Sequence, residues 1–495
     1  MEIKLLEPSK NIFDSDPFAK FHKYWARKPL QITSHFLETY SKKGDVILDP
    51  FMGSGTTLYA SMLSDRESIG YDLNPTACFI AKTISGIHIT VSDFDIGLQS
   101  VALEVGNQIN SLYSTGSSTI LWRSMGKDSD GLHNAQVADF DFKNKTFTKI
   151  NVSAEQNLKS KFLSTEFPPF LKDRFSSKGI RKVSEMFTNR NLLAIEILEK
   201  SILKLESPAR EHLLICLNNS LLHASKLKGE GIRPLGVNSY WIPGDSIEEN
   251  VWWRFLDRTQ NYRKALIMLN EMYLKRNFRF PVILNSSSLK MDVIEDSSVD
   301  YILTDPPYGE TIQYSELSFI WNTFLKKEYE NKEELVVNSV QGKSADSYLE
   351  LAGESARECF RVLKPGRHMT LAFQSKDIQL WVGLSVIMAK LGFTLVSLEM
   401  ATPKGSPFTA NWATKSPKFD FYITLLKPTY PRIPQFRNVE WGDYKSSLNS
   451  LSQNTKIESQ QSKFQELVGE IFELAFQGIA LINIPKNSLT KLLGF

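Results

Sequence analysis

The stretch from residue 45 to residue 72 constrains the fold more than any other part of the chain. A short apolar run at 45–48 enters Asp49-Pro50-Phe51-Met52-Gly53-Ser54-Gly55-Thr56-Thr57, and a helical stretch at 58–63 and a second apolar run at 68–71 follow. A strand, a glycine-rich turn, a helix and a strand that ends at an acidic residue are the opening of a doubly wound, Rossmann-like sheet. The sequence therefore predicts an α/β fold.

The turn between these two strands has the residues of a cofactor-binding loop. We expect Gly53 and Gly55 to let a ligand approach the backbone, because glycine has no Cβ. The start of the following helix favours a carboxylate or a phosphate. Asp72 follows the glycines by about 20 residues, the spacing at which an acidic residue binds ribose hydroxyls. Since Leu58 replaces the last glycine of GxGxxG and no GxxxxGK[ST] is present, we expect a nucleoside that carries an amino-acid carboxylate rather than a dinucleotide.

A second motif, Asp305-Pro306-Pro307-Tyr308, follows the predicted strand 299–304. The carboxyl ends of such strands are where α/β enzymes place their chemistry. An aromatic amine such as adenine N6 is a poor nucleophile, because its lone pair is delocalised into the ring. The Asp305 carboxylate and the Pro306 carbonyl could accept its two N–H groups, and the two prolines stiffen the loop. Tyr308 offers a ring on which a flipped-out base could stack.

Composition excludes several classes of protein. The chain has 495 residues, a formal net charge of +3 and three scattered cysteines. This length suits about two to four domains, and the cysteines exclude a disulfide framework and a cysteine-based zinc ribbon. The sequence shows no apolar run of about 18 residues and no secretory signal. We therefore expect a cytoplasmic protein without a membrane partner.

The chain divides into four predicted regions. Residues 1–90 and 281–428 carry the two halves of the catalytic sheet, and the second half includes a late pair of strands that resembles a hairpin. Residues 91–280 do not continue the β/α alternation, and we expect them to form an inserted, mostly helical target-recognition domain. Residues 429–495 form a linker and a small C-terminal extension with an amphipathic helix at 462–476.

The insertion also carries a positive charge that the whole-chain value conceals. Residues 151–280 contain 21 Lys+Arg and 14 Asp+Glu, a local charge of +7, and basic residues alternate with aromatic ones between 254 and 279. This pattern favours phosphate contacts and base stacking, although a helix with a buried aromatic stripe and a solvated basic face would give the same spacing. The basic loop 177–182 and the loop 404–412 are further candidates for nucleic-acid contact.

Together the motifs resemble the S-adenosylmethionine-dependent amino-methyltransferases of DNA. Asp49 to Thr57 is similar to their cofactor motif, Asp305 to Tyr308 to their catalytic motif, and His22 to Leu30 to the segment that closes over the methionine end of the cofactor. The cofactor motif comes first here, and a long insertion separates it from the catalytic motif. This order is a circular permutation of the one usual in enzymes with these motif sequences. The resemblance implies S-adenosylmethionine as cofactor and no metal. It implies catalytic roles for Asp305, Pro306, Pro307 and Tyr308, and cofactor-binding roles for Lys28, Pro29, Asp49, Pro50, Phe51, Gly53, Ser54, Gly55, Thr56, Thr57, Asp72, Asn74, Asn285 and Ser286.

We therefore expect an enzyme that methylates adenine N6 in DNA, in restriction–modification or phage defence. Methylation of cytosine N4 is an alternative, because the same two acceptors fit that amine, although aspartate at position 305 favours adenine. Methylation of guanine N2 in tRNA is a second alternative, because those enzymes share the Asp-Pro-Pro-Tyr-Gly string; few residues precede the first motif here, whereas they usually have an N-terminal RNA-binding domain. A third alternative is a non-catalytic, cofactor-binding subunit of a defence complex. The sequence leaves open a homodimer or partner subunits.

Overall fold

The computed structural model describes residues 4–6, 21–22, 24–25, 27–139, 141–151, 160–168, 171, 180–231, 234, 240, 242–273, 278–401, 420–444 and 460–485. Strands in this part of the chain are numbered in chain order: β1 (Lys4–Leu6), β2 (Val46–Asp49), β3 (Glu67–Tyr71), β4 (Ser114–Thr115), β5 (Ser118–Ser124), β6 (His133–Ala138), β7 (Lys145–Ile150), β8 (Ile247–Glu249), β9 (Val282–Leu284), β10 (Val299–Thr304), β11 (Leu363–Phe373), β12 (Thr394–Ala401), β13 (Asp420–Leu426), β14 (Arg437–Glu440) and β15 (Ile479–Ile482).

The α-helices of the same residues are numbered likewise: α1 (Leu30–Tyr40), α2 (Thr56–Leu63), α3 (Pro75–Ala81), α4 (Val91–Val101), α5 (Asn107–Ser111), α6 (Asn189–Ile202), α7 (Ala209–Ala224), α8 (Val251–Tyr273), α9 (Tyr314–Leu317), α10 (Phe319–Phe324), α11 (Ala345–Val362), α12 (Ile378–Leu391) and α13 (Gln460–Phe476). A π-helical turn at Lys82–Gly86 extends α3, another at Ala102–Gly106 joins α4 to α5, and a 3₁₀ turn lies at Val183–Met186.

Eight of the described strands form one mixed sheet in the spatial order β1–β12–β13–β11–β10–β2–β3–β9. Within it β13 runs antiparallel to both of its neighbours, and the other described pairs are parallel. The antiparallel pairing of β12 with β13 confirms the predicted late hairpin. The loop 404–412, predicted between these strands, lies outside the described residues.

The two faces of the sheet are covered by different helices. Along β10, Tyr301 and Leu303 belong to one apolar core, whereas Ile302 belongs to the other, because alternate residues of a strand point to opposite faces. Helices α1, α2 and α6 to α8 contribute to the first core, and α11 to α13 contribute to the second. All six residues of β10 are buried, as expected of a parallel strand covered on both faces. The predicted doubly wound α/β fold is confirmed.

The strand order reverses between β2 and β10, which are neighbours in space although about 250 residues separate them in sequence. The helix after β2 packs on one face of the sheet, and α11, which leads from the β10 side into β11, packs on the other. A crevice therefore opens at the carboxyl ends of β2 and β10, the usual ligand site of such sheets. Both sequence motifs begin at these two strand ends.

The segment between α3 and β9 contains helices and also a second sheet. Strands β4 to β8 form an antiparallel sheet of five described strands, where the sequence showed only a polar stretch. The term "mostly helical" is therefore incomplete for 91–280. One signal was available in the sequence, because a glycine favours a tight turn between strands. Gly116 forms that turn between β4 and β5, with φ +61°.

The described residues of this insertion share an apolar core with the rest of the chain. Tyr262 of α8 packs edge-on against Phe21 with ring centroids 4.6 Å apart. The side chain of Asn219, in α7, donates a 2.8 Å hydrogen bond to the Phe21 carbonyl. The buried side chains of the insertion join those of α1 and α2 in a single apolar cluster. The domain boundaries at 91 and 280 therefore stay a prediction.

The C-terminal part adds a layer over one edge of the sheet. Its helix α13 contacts α12 and β12, and β15 pairs in parallel with β14. This helix corresponds to the amphipathic helix predicted at 462–476. None of the helices in the described ranges combines the length and the hydropathy that crossing a membrane requires.

Candidate active site

The cofactor motif begins where β2 ends, and Asp49 holds it in place. The Asp49 carboxylate accepts hydrogen bonds from the Phe51 backbone N–H and from the Thr304 hydroxyl, both at 3.1 Å. The second bond ties the carboxyl ends of β2 and β10 together. Burial raises the pKa of Asp49 to about 6.

Asp72, at the end of β3, closes the turn from the other side. Its two carboxylate oxygens accept hydrogen bonds from the backbone N–H groups of Gly53 (2.9 Å) and Asn74 (2.7 Å). Burial raises the pKa of Asp72 to about 6. Asn74 in turn caps α3, because its side chain accepts from the Thr76 N–H at 3.1 Å. Asp72 thus shapes the loop and also faces the cavity described below.

The two glycines of the turn have different roles. Both have positive φ, +51° at Gly53 and +83° at Gly55, which favours glycine. A Cβ on Gly55 would lie 2.8 Å from the Cβ of Ala81. The expectation that Gly55 leaves space for a ligand is therefore wrong: that space is filled by α3, and the glycine allows α2 and α3 to pack closely. A Cβ on Gly53 would meet the Tyr24 ring at 3.4 Å.

The catalytic motif forms a loop that its neighbours fix. The Tyr348 hydroxyl donates to the Pro307 carbonyl at 2.6 Å, and the Val337 N–H donates to the Gly309 carbonyl at 3.1 Å. Within the described part of the chain no backbone N–H donates to the Pro306 carbonyl. Pro306 is buried and does not line the cavity described below, so its contact with a ligand stays a prediction.

Asp305 is part of a charged cluster that sequence reasoning did not find. The Lys28 ammonium lies 3.4 Å from the Asp305 carboxylate and 2.9 Å from that of Asp420, the first residue of β13. Burial raises the pKa of Asp305 to about 7, although Lys28 acts in the opposite direction. Burial alone would lower the pKa of Lys28, but the two carboxylates outweigh it and raise that pKa.

Tyr308 is less open than its predicted role requires. It is buried, its hydroxyl donates to Asp305, and its ring packs edge-on against Phe373 with centroids 5.6 Å apart. The Lys28 ammonium lies 4.9 Å from the centroid of the Tyr308 ring. In this conformation a cation therefore occupies the space beside that ring.

One cavity, about 1040 Å³ when its opening to solvent is included, contains parts of both motifs. The predicted site residues that line it are Lys28, Asp49, Pro50, Phe51, Gly53, Ser54, Thr56, Thr57, Asp72, Ser286, Asp305 and Pro307. The predicted site residues that do not line it are Pro29, Gly55, Asn74, Asn285, Pro306 and Tyr308.

Asn285 has a different contact. Its side chain donates to the carbonyls of Asp72 and Leu73, both at 3.0 Å, and so fixes the end of β3 against the end of β9. Its neighbour Ser286 lines the cavity.

The residues of the cavity fit a nucleoside with a charged tail. Asp72, Ser54 and Thr57 border it, and carboxylates and hydroxyls are groups to which ribose and amino-acid groups can hydrogen-bond. Tyr422 also lines it, and the Tyr422 hydroxyl is buried without a hydrogen-bond partner among the described residues. A buried hydroxyl without a partner costs about 1–3 kcal/mol, which a polar ligand can recover.

The basic helix α8 differs from its predicted role. Phe255 and Tyr262 are fully buried, so they belong to the core and not to a base-stacking surface. Arg254 is largely buried and pairs with Glu249, and it contacts Asp257 at 2.9 Å. The amphipathic alternative is thus correct for these aromatics. Lys275, Arg276 and residues 177–179 of the basic loop lie outside the described part of the chain.

With this geometry established, comparison with known proteins identifies the relatives of the N-terminal part. Residues 6–83 match the family described as DNA methylase. This segment includes the segment at 22–30 and the glycine-rich turn, and it ends just after α3. The match covers the part of the chain that forms one wall of the cavity.

Proteins related to the DNA methylase family extend the similarity. Type II methyltransferase M.MjaII of Methanocaldococcus jannaschii is 36% identical over 88 residues, which are 18% of this chain and 16% of that protein. Type II methyltransferase M.MvaI of Kocuria varians is 25% identical over 342 residues, 66% of this chain and 62% of that one. The chain thus matches less than two thirds of the length of either relative.

Solved methyltransferases resemble the fold only loosely. The rRNA methyltransferase aviRa from Streptomyces viridochromogenes has a TM-score of 0.32 at 10% identity, over 85% of this chain and 96% of that one. A score this low adds nothing to the fold assignment, which is based on the strand order. The DNA methylase match and the related type II enzymes support the resemblance to S-adenosylmethionine-dependent DNA amino-methyltransferases, with S-adenosylmethionine as methyl donor.

Asp420 and Tyr422 were missed because of the direction of β13. In a parallel sheet the residues that reach the site lie just after the last residue of each strand. A search of the sequence therefore looks for site residues at strand ends. Since β13 is antiparallel to its neighbours, its first residues lie at the carboxyl edge of the parallel strands. An acidic residue at the start of the second strand of a predicted late hairpin was the available signal.

Proposed function

We propose that this protein transfers a methyl group from S-adenosylmethionine to the N6 amine of adenine in DNA. One observation carries the proposal: Asp305 and Pro307 of the catalytic loop line the same cavity as the cofactor motif and Asp72. A methyl donor in the cradle and an amine at Asp305 would therefore meet within one space. The type II names of the relatives favour a role as the modification enzyme of a restriction–modification system.

In this proposal the chain orients the amine and receives its proton. The Asp305 carboxylate and the Pro306 carbonyl accept the two N–H groups of the amine, so that the nitrogen lone pair is directed away from the ring. When bound, S-adenosylmethionine supplies an electrophilic methyl group on a positively charged sulfur. As the N–C bond forms and the S–C bond breaks, Asp305 takes one proton from the amine, and its raised pKa makes it a competent acceptor. Positioning supplies much of the acceleration, since the two reactants share one cavity.

The DNA has to present its base outside the helix. The exocyclic amine of a base that stays paired within a duplex does not reach the loop of Asp305, which lies beside the buried Tyr308. The target nucleotide is therefore extruded at a cost of a few kcal/mol. Exposed basic residues of 151–280, such as Lys264 of α8, are the proposed phosphate contacts. Aspartate at position 305 is the feature that favours adenine over cytosine.

Replacing Asp305 by alanine tests this proposal. We expect methyl transfer to DNA to fall by at least about 100-fold, a loss comparable to removal of one preorganised group that stabilises a transition state. Binding of S-adenosylmethionine, measured by calorimetry, should stay within about threefold of the parent value, because Asp305 does not belong to the cofactor cradle.

The matched control is Asp292→Ala, which removes a carboxylate that is exposed and pairs with Lys290 at the surface. This variant should keep full activity. Full activity in Asp305→Ala would contradict the proposed function.

A further inference from the structure

The Lys28 ammonium occupies a particular position in the active site. It contacts the Asp305 carboxylate at 3.4 Å and lies 4.9 Å from the centroid of the Tyr308 ring. Asp305 is the side chain that the proposed function assigns to the amine of the target base, and Tyr308 is the ring on which the sequence predicts the base to stack. A positively charged nitrogen with N–H donors thus stands where the amine of the substrate would be held.

The two carboxylates do not hold Lys28 equally. The distance to Asp420 is 2.9 Å, about 0.5 Å shorter than that to Asp305, so the Asp420 pair has the geometry of a charge-assisted hydrogen bond and the Asp305 pair is longer than such a bond. The side chains are 12% exposed for Lys28, 18% for Asp420 and 24% for Asp305. In this partly desolvated setting both pairs are stronger than surface ion pairs. The shorter contact of Lys28 is therefore to Asp420.

Strand pairing places Asp420, whereas loop contacts place Asp305. Asp420 is the first residue of β13 and lies opposite Ala401 of β12 in the strand register. Asp305 belongs to the loop that follows β10. An ammonium that loses its contact with Asp305 thus keeps a strand-borne anchor on its other side.

From this arrangement we infer that Lys28 occupies the target-amine position until the base arrives, and that Asp420 retains the displaced ammonium. The inference rests on the proposed function, because it takes Asp305 as the group that receives the amine of the base. Lys28 and Asp420 are positioning residues in this role. The arrangement keeps the Asp305 carboxylate paired in the absence of DNA, so that entry of the base exchanges one N–H donor for another.

The inference predicts that the two residues act in opposite directions. In Asp420→Asn the anchor loses its charge, so Lys28 pairs more tightly with Asp305 and competes with the amine. The apparent affinity for DNA falls in proportion to the fraction of molecules in which the target-amine position is free of Lys28. Roughly 90% occupancy of that position by Lys28 therefore raises the KM for DNA about tenfold. In Lys28→Met no ammonium occupies the target-amine position, and the KM for DNA should not exceed the parent value.

The decisive measurement is the double variant Lys28→Met/Asp420→Asn. We expect it to restore the KM for unmethylated DNA to within about threefold of the parent value, because no ammonium remains to compete. Assays over a series of pH values up to 9 separate competition by Lys28 from protonation of Asp305, whose pKa Lys28 lowers and Asp420 and Asp49 raise. Calorimetry with S-adenosylmethionine should show unchanged affinity in the variants.

A surface ion pair provides the matched control. Lys43 and Asp65 pair at 2.7 Å outside the cavity, and Lys43→Met and Asp65→Asn should leave the KM for DNA unchanged. If the double variant shows the same rise in KM as Asp420→Asn, Lys28 does not compete with the amine and the inference is overturned. Loss of cofactor affinity in Lys28→Met would overturn it as well. A parent protein that methylates no DNA overturns the proposed function first, so the two failures are distinguishable.

Discussion

At the residue scale, the site is built from carboxylates that are buried and only partly neutralised. Asp49, Asp72 and Asp305 all have pKa values that burial raises, to about 6, 6 and 7. Each carboxylate has a separate partner: the first links two strands, the second closes the turn and the third pairs with Lys28. Raised pKa values at the carboxyl ends of strands are typical of functional sites.

The pKa of Asp305 predicts how activity depends on pH. The carboxylate has to be ionised to accept the amine, and burial raises its pKa to about 7, so a growing fraction is protonated and inactive below that value. We expect kcat/KM for DNA, with saturating cofactor, to fall about tenfold per pH unit below 7 and to be level above it.

A profile that is flat between pH 5.5 and 8.5 would contradict this assignment. Lys28→Met provides an internal comparison, since loss of the positive charge should move the midpoint of the profile to higher pH.

Residue types alone predicted part of this site. Asp305, Asp49 and Asp72 follow parallel strands, and their positions were clear from the pattern. Asp420 was not, because its importance arises from an antiparallel strand that places its start beside Asp305. Lys28 was expected at the cofactor, and the structure instead places it between two carboxylates.

At the element scale, the glycine-rich turn is a packing device as much as a ligand cradle. Gly55 caps α2 with φ +83° and lies against Ala81 of α3. The sequence predicted the turn, the helix and the following strand correctly, but it could not show that two helices meet at this glycine. Contact between helices depends on the path of the chain, and local pattern does not contain it.

The substitution Gly55→Ala tests the packing role. Alanine in the left-handed region costs about 1–2 kcal/mol, and the 2.8 Å approach to Ala81 adds to this. We expect a lower melting temperature and a weaker affinity for S-adenosylmethionine, because movement of α2 displaces the turn.

Gly44→Ala is the matched control, since Gly44 has φ +81° and a Cβ added to it would meet no atom within 4 Å. It should lose only the stability that the backbone strain costs. Equal destabilisation of the two variants would contradict the packing role.

Strand β11 also shows why some element boundaries escaped prediction. The apolar run 368–373 predicts a strand, and Lys364-Pro365-Gly366 before it predicts the end of a helix, yet the strand starts at Leu363 directly after α11. The register with β10 shifts between Leu363 and His368. Proline and glycine are tolerated there because the strand bulges, with Gly366 at φ +78°.

At the scale of the whole molecule, the sequence suggested two bodies where the structure shows a shared core. The insertion 91–280 contributes α4 to α8 to the same apolar cluster as α1 and α2. Interruption of the β/α alternation was a sound reason to expect an insertion. Which face of the sheet its helices cover depends on long-range contacts that no local pattern records.

The positive charge counted in the insertion also overstates what the molecule presents to solvent. The net +7 of residues 151–280 includes cations that pair inside the protein or with residues outside that segment, as Arg254 does with Glu249 and Arg263 with Asp95 at 2.8 Å. Counting charges along the sequence does not distinguish these from cations that face solvent. The surface offered to DNA is therefore narrower than the composition indicated.

The central claim is that one cavity brings a methyl donor and the amine of a DNA base together. The most direct measurement incubates the protein with S-adenosylmethionine labelled in its methyl group and with unmethylated DNA or tRNA in separate reactions, followed by digestion to nucleosides. We expect label in N6-methyldeoxyadenosine from DNA and none from tRNA. Label in N4-methyldeoxycytidine would correct the base, and label found only in tRNA nucleosides would contradict the central claim.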